Sequence, residues 1–219
     1  MNTAFAGGTP TIHTATSGEL RIVAFGSSST QGIGASTPSH SYPSMLQVDL
    51  ESALSYGIVP TVVNMGHGGD DADEMTAKLP AVLAAKPDLV IWQTGTNDPL
   101  RALPLDRFIA LTEAGLDAFK AAHVQVMLIE PQFCKALADH PAFLSYRDAL
   151  RHLAHERAVP IVRRYDLMQE WLAKGLVSET QLQSGDGLHM GDGGYALLAK
   201  YIARLIVPIP ASSTLAALR

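Results

Sequence analysis

Asp186 and His189 stand three residues apart in Asp186-Gly187-Leu188-His189, about one turn, so both side chains can face the same way. A carboxylate beside an imidazole fixes the ring tautomer and stabilises the imidazolium formed when the ring takes a proton. The partner that such a pair activates is a hydroxyl, and Ser28, in Gly26-Ser27-Ser28-Ser29-Thr30-Gln31-Gly32, is the natural candidate. A serine is unreactive until a base removes its proton, and His189 can be that base. Two further segments offer hydrogen-bond donors. Asn97, in Gly95-Thr96-Asn97-Asp98, carries a side-chain amide, and Gly69 lies in Asn64-Met65-Gly66-His67-Gly68-Gly69-Asp70. Acyl transfer puts negative charge on a carbonyl oxygen, and preorganised N–H groups stabilise it by a few kcal/mol each. Glycine tolerates the backbone angles that aim an amide inward.

Each segment has a plainer reading when taken alone. Ser27 to Thr30 suit the N-cap of a helix. The glycines at 66, 68 and 69 make a turn, Asn97-Asp98 cap the next segment, and Asp186 and His189 serve as a loop acid and a capping residue. Chemistry requires that the four segments meet.

The elements between them predict that they do. β-Branched or apolar runs fall at residues 20–25, 61–64, 89–93, 124–129 and 160–164. Amphipathic stretches of helical length separate or follow them at residues 42–56, 71–85, 105–122, 142–157 and 193–207. Five strands alternating with helices specify an α/β fold, a parallel sheet covered on both faces. Ligands in such sheets sit beyond the carboxyl ends of the strands. Three of the polar segments directly follow a strand, and the fourth precedes the last helix. Residues 1–18 are Thr-, Gly- and Ser-rich and aperiodic, which predicts a flexible N-terminal arm before a single domain over 19–219.

Order and content of the four segments resemble the SGNH hydrolase superfamily, the GDSL esterase/lipase family, named for Ser, Gly, Asn and His in four blocks. Ser28 matches the nucleophile, Gly69 the second-block glycine, Asn97 the third block, and Asp186 with His189 the closing D-x-x-H. The resemblance runs from about residue 22 to 203, including Gly194-Tyr195 and an apolar helix after the last block. It implies a three-layer α/β/α, flavodoxin-like fold with five parallel strands, and metal-free hydrolysis of esters or thioesters through an acyl-enzyme. The oxyanion hole it implies is made of the N–H groups of Ser28 and Gly69 and the Asn97 amide. Gly95 to Arg101, followed by Leu103-Pro104, is similar to the compact bacterial thioesterase, arylesterase and lysophospholipase branch. One departure stands out: the first block usually reads Gly-Asp-Ser, and this chain has Ser27 in place of the aspartate. That removes a charge and its hydrogen bonds from the nucleophile turn.

Composition narrows the alternatives. At 219 residues, 47% hydrophobic and 17% charged, the chain is long enough to bury a core and reads as compact. With 16 Lys+Arg against 21 Asp+Glu, a net charge of -5 and no basic run, it lacks the cationic patch that nucleic acid requires. No apolar stretch reaches the ~18 residues of a membrane span; the run from residue 195 to 209 is interrupted by Lys200 and Arg204. The first twenty residues lack the basic start and apolar stretch of a signal peptide. As written the chain reads as cytoplasmic; removal of a leader would make it periplasmic or secreted. The expected partner is a small-molecule ester or thioester, with no cofactor and no metal. His152, His155 and Glu156 fit neither zinc-protease spacing. Cys134 reads as a small apolar residue, Trp92 as core, His67 as a turn residue within reach of substrate, and Asp98 and Arg101 as rim residues that bind substrate or pair with each other. The rival readings are a flavodoxin-like phosphate or FMN module on the Ser27–Thr30 turn and a family member that binds an acylated ligand without turnover. An α/β-hydrolase elbow fits less well, because Thr30 stands where G-x-S-x-G needs glycine.

Overall fold

The computed structural model describes residues 18–54, 57–134, 137, 140 and 142–207. The expected N-terminal arm lies outside the described residues except for Gly18. Five strands form one sheet: β1 (Gly18–Gly26), β2 (Ile58–Gly66), β3 (Leu89–Gln93), β4 (Gln125–Ile129) and β5 (Ile161–Val162). Their order is β2-β1-β3-β4-β5 and every pairing is parallel. Around it lie α1 (Ser28–Gln31), α2 (Tyr42–Ala53), α3 (Ala72–Ala84), α4 (Asn97–Leu100), α5 (Leu105–Ala121), α6 (Phe143–Glu156), α7 (Arg164–Ala173), α8 (Glu179–Leu182) and α9 (Asp192–Ile206).

Side chains alternate across a strand, so the central strands feed two cores. Leu20, Ile22 and Ala24 of β1, with Leu89 and Ile91 of β3, face α2, α7 and α9, where Leu46, Trp171 and Leu198 meet them. Val23 and Phe25, with Val90 and Trp92, face α3, α5 and α6. Burial on both sides explains why these strands read as continuous apolar runs. Trp92 lies between Phe25 and Phe119, ring centroids 5.9 and 5.8 Å away. Its ring fills the space beside Gly115, where a Cβ would stand 2.5 Å from the indole. Two layers of helices on one parallel sheet make the three-layer α/β/α architecture.

The ends of the strands differ from the expected ranges for physical reasons. β2 begins three residues before the expected start and runs through Pro60, which a strand at the edge of a sheet tolerates because no ladder bond on its free side is lost. β5 is only two residues long, because Arg164, expected at the end of the strand, opens α7 instead.

Candidate active site

All four polar segments gather at the carboxyl rim of the sheet. β1 ends at Gly26, and the chain turns at once into the single turn of α1. No other residue fits at Gly26, where a Cβ would lie 2.5 Å from Thr30 Oγ1 and 2.8 Å from the Gln93 carbonyl. Ser27 does not cap this helix, contrary to the plainer expectation. Its N–H and its hydroxyl both donate to Gln93 Oε1, each at 3.0 Å, and the Thr30 hydroxyl donates to the same oxygen at 3.3 Å. A side chain from β3 thus grips the turn and leaves Ser28 half-buried at its apex.

His189 stands over Ser28, its Nε2 2.8 Å from the serine Oγ. Its Nδ1 lies 2.6 Å from Asp186 Oδ2. The other carboxylate oxygen accepts the N–H groups of Leu188 and His189, each at 2.9 Å, and the Ser184 hydroxyl at 2.7 Å. Burial pushes the Asp186 pKa up, but the His189 N–H, the Ser184 hydroxyl, the His189 ring and the Leu188 N–H outweigh it and hold the acid well below the usual carboxylate range. Asp186 is therefore ionised wherever His189 has to accept a proton.

On the other side of Ser28 runs the loop after β2. A Cβ at Gly68 would lie 3.9 Å from the Ser28 Cβ. The Gly68 N–H is taken by Gln31 Oε1 at 2.8 Å. Gly69, at φ +85°, lies in the left-handed region that favours glycine. Among the described residues, neither its N–H nor that of Ser28 has an acceptor. The Asn97 amide donates one hydrogen to the Asp70 carbonyl at 2.8 Å; this fixes which end of the amide faces the loop and leaves its second hydrogen available. The structure thus joins Ser28, His189 and Asp186 in one hydrogen-bonded line and ties Asn97 to the loop that carries Gly69.

The remaining sequence candidates fall elsewhere. Asp98 and Arg101 do not pair. Asp98 is fully buried, with Oδ1 accepting the Ala72 N–H at 2.9 Å, whereas Arg101 reaches Glu74 at 2.5 Å and Asp71 at 3.4 Å. Asp98 therefore binds the first N–H of α3, whose N-cap is Asp71. His67 is exposed, with Nδ1 2.7 Å from Asp70 Oδ1. Cys134 and Trp92 are buried, and His152 faces Glu156 at 3.2 Å on the outer side of α6. Among the described residues no three His, Cys, Asp or Glu side chains form a metal-sized group, and no helix is long and apolar enough to cross a membrane.

Burial raises the Asp98 pKa to about 6 from 3.8, with Asp71 adding to the shift and the N–H groups of Ala72, Asp98 and Gly95 opposing it. The folded protein therefore binds this proton more tightly than the unfolded chain. The group's contribution to stability is fully present below pH 3.8 and is lost as pH rises through about 6, at a cost of about 3 kcal/mol. Asp98→Asn is expected to melt several degrees above the parent at pH 8 and level with it at pH 4. Equal melting temperatures at pH 8 would show that the buried carboxylate carries no such cost.

The fold and the comparisons with known proteins place this chain among the carboxylic ester hydrolases of the SGNH superfamily. The model of the non-GDSL lipase-like family matches residues 10–209, and the chain belongs to that family. It is 24% identical over 172 residues to an arylesterase of Vibrio mimicus, covering 76% of this chain and 78% of that protein. Among solved structures it is similar to the lipase/acylhydrolase from Enterococcus faecalis, with a TM-score of 0.72 and 24% identity over 85% of this chain and 95% of the other. A catalytic mutant of Axe2, an acetylxylan esterase from Geobacillus stearothermophilus, matches with a TM-score of 0.70 and 20% identity over 87% and 94% of the two chains. At these identities the structural likenesses establish the fold.

Sequence reasoning passed over Gln93, Gln132 and Arg164, which hold the rim from below. Gln93 had a readable signal: it is the polar last residue of an otherwise apolar strand, and a polar group buried there needs partners.

Proposed function

We propose that this protein is a serine hydrolase that cleaves carboxylic esters or thioesters through an acyl-enzyme on Ser28. The reading rests on one observation, the unbroken line Asp186–His189–Ser28 with contacts of 2.6 and 2.8 Å. Ser28 Oγ attacks the acyl carbonyl as His189 Nε2 takes its proton, and Asp186 orients the ring and stabilises the imidazolium. The carbonyl oxygen becomes an oxyanion, held by the Ser28 and Gly69 N–H groups and the free hydrogen of the Asn97 amide. The tetrahedral adduct collapses, and the alcohol or thiol leaves with the proton from His189. Water then repeats the cycle: His189 takes its proton, the hydroxide adds to the acyl carbon, and Ser28 leaves with the proton restored.

The arylesterase and acetylxylan esterase among its relatives support an ester substrate. The phosphate-cradle reading has no comparable support. The N–H and hydroxyl of Ser27 and the hydroxyl of Thr30 are already spent on Gln93.

A series of p-nitrophenyl esters from acetate to decanoate tests the proposal. Turnover is expected on at least the shorter members. Acid quenching during turnover should leave one acyl group on the peptide that contains Ser28, found by mass spectrometry. Turnover with the acyl group on another residue would sink the assignment of Ser28.

A further inference from the structure

Beneath the rim, five buried residues connect the nucleophile turn to the histidine loop: Ser27, Gln93, Thr96, Gln132 and Arg164. The Arg164 guanidinium, at the start of α7, donates through Nε to the Glu130 carbonyl at 2.9 Å and through Nη2 to Gln132 Oε1 at 2.8 Å. Its Nη1 lies 4.0 Å from Met190 Sδ. Gln132 Nε2 donates to the Leu188 carbonyl at 3.2 Å. One cation thus reaches the residues on either side of His189, Leu188 through Gln132 and Met190 directly. On its other side Gln132 Oε1 receives the Thr96 hydroxyl at 3.4 Å, and Thr96 Oγ1 receives Gln93 Nε2 at 3.2 Å. Gln93 Oε1 is then left facing Ser27 and Thr30.

The sense of this chain is dictated by chemistry. A guanidinium has donors and no acceptor, so the oxygen of Gln132, not its nitrogen, must face Arg164. The Thr96 hydroxyl must therefore donate toward Gln132, and its lone pair is offered to Gln93. Gln93 in turn must give its nitrogen to Thr96 and present its oxygen to the nucleophile turn. A flip at any link would set two donors or two acceptors face to face in a buried site, which is expensive.

We propose that Arg164 and Gln93 are positioning residues for the Ser28–His189 pair. The buried cation polarises a one-way chain, Arg164–Gln132–Thr96–Gln93, that supplies the nucleophile turn with an acceptor while anchoring the histidine loop at its other end. Gln93 does from β3 what Ser27 cannot do from within the turn: it receives the turn's N–H and hydroxyl groups on one oxygen. The inference rests on Ser28 being the nucleophile and His189 its base. It goes further by placing the alignment of that pair in buried residues that lie outside both the Ser28 turn and the His189 loop in sequence.

The test compares the parent with Gln93→Met, Thr96→Val and Thr96→Ser, using two readouts. One is kcat and KM for p-nitrophenyl acetate. The other is the rate at which a fluorophosphonate, from which Ser28 Oγ displaces fluoride, labels the Ser28 peptide. That rate reports the nucleophile without reference to a natural substrate. Misalignment of reacting groups by a fraction of an ångström to 1 Å costs up to about 100-fold. Gln93→Met is expected to lower kcat and labelling rate together by about 30-fold, with KM within about threefold of the parent. Thr96→Val, which cuts the chain one link away, should lose about 10-fold on both, and Thr96→Ser, which restores the hydroxyl, should recover to within about twofold. A purely structural role would lower the melting temperature without this split between kcat and KM and without rescue by serine. Labelling of a folded Gln93→Met at the parental rate overturns the proposal. Should that variant fail to fold, equal labelling of Thr96→Val and the parent overturns it instead. A parent that takes no label at Ser28 overturns the active-site reading, and this proposal with it.

Discussion

A folded Ser28→Ala variant is expected to lose ester turnover by about 10⁴- to 10⁶-fold, the scale seen when a serine nucleophile is removed. The substitution deletes one oxygen and little else. Ser28 is half-buried, and the grip on its turn is made by Ser27 and Thr30 on Gln93, so the backbone N–H that we propose as an oxyanion donor keeps its place. Residual activity would come from the donors of the oxyanion hole acting on a water molecule. Initial rates on p-nitrophenyl acetate, beside a melting curve that shows the variant folded, decide the matter. Retention of a tenth of the parental rate would mean that another group performs the attack.

Removal of the base should cost as much. His189→Ala is expected to fall by about 10⁴- to 10⁶-fold, and the double variant with Ser28→Ala should be no slower than either single one, because nucleophile and base act as a unit. Asp186 enters this through pH. Its contacts with the His189 N–H, the Ser184 hydroxyl, the ring and the Leu188 N–H keep it ionised far into acid. The depressed pKa also means that its contribution to stability, present above the ordinary carboxylate range, is lost only as pH falls through the much lower folded value. Asp186→Asn, which removes the carboxylate at every pH, is therefore expected to lower kcat/KM by a similar factor at pH 5 and at pH 8. A loss confined to the higher pH would mean that Asp186 is already protonated at pH 5, against the hydrogen bonds that hold it ionised.

The parts of this molecule legible in its sequence are those written in local periodicity. The apolar runs that became β1, β3 and β4 could be read because both faces of each are buried, and α5 because Phe108, Leu116 and Phe119 recur on its buried side. Ser28, Gly69, Asn97, Asp186 and His189 could be located because each lies in a short polar or Gly-rich segment at a strand end or before the last helix. Contacts between distant residues had no such signature. Ser27 meets Gln93 across 66 residues and Arg164 meets Gln132 across 32, and nothing in either segment names the other. Arg164 was expected in a strand because Ile161 and Val162 precede it; the interior stations of its guanidinium pull it into α7. That helix went unread because its polar residues, such as Asp166, Gln169 and Glu170, alternate with Leu167, Met168 and Trp171 without a clean stripe. Asp98 and Arg101 looked like a pair by proximity in sequence, but burial took the acid toward Ala72 and left the arginine to Glu74 and Asp71.

The two faces of the sheet divide the tryptophans between them. The chain has two: Trp92 belongs to the core under α3, α5 and α6, and Trp171 to the core under α2, α7 and α9. Each hydrophobic layer therefore contains its own intrinsic fluorophore. Emission from Trp171→Phe reads one layer and emission from Trp92→Phe the other, so the cooperativity of the central sheet can be monitored optically from both sides with no dye attached.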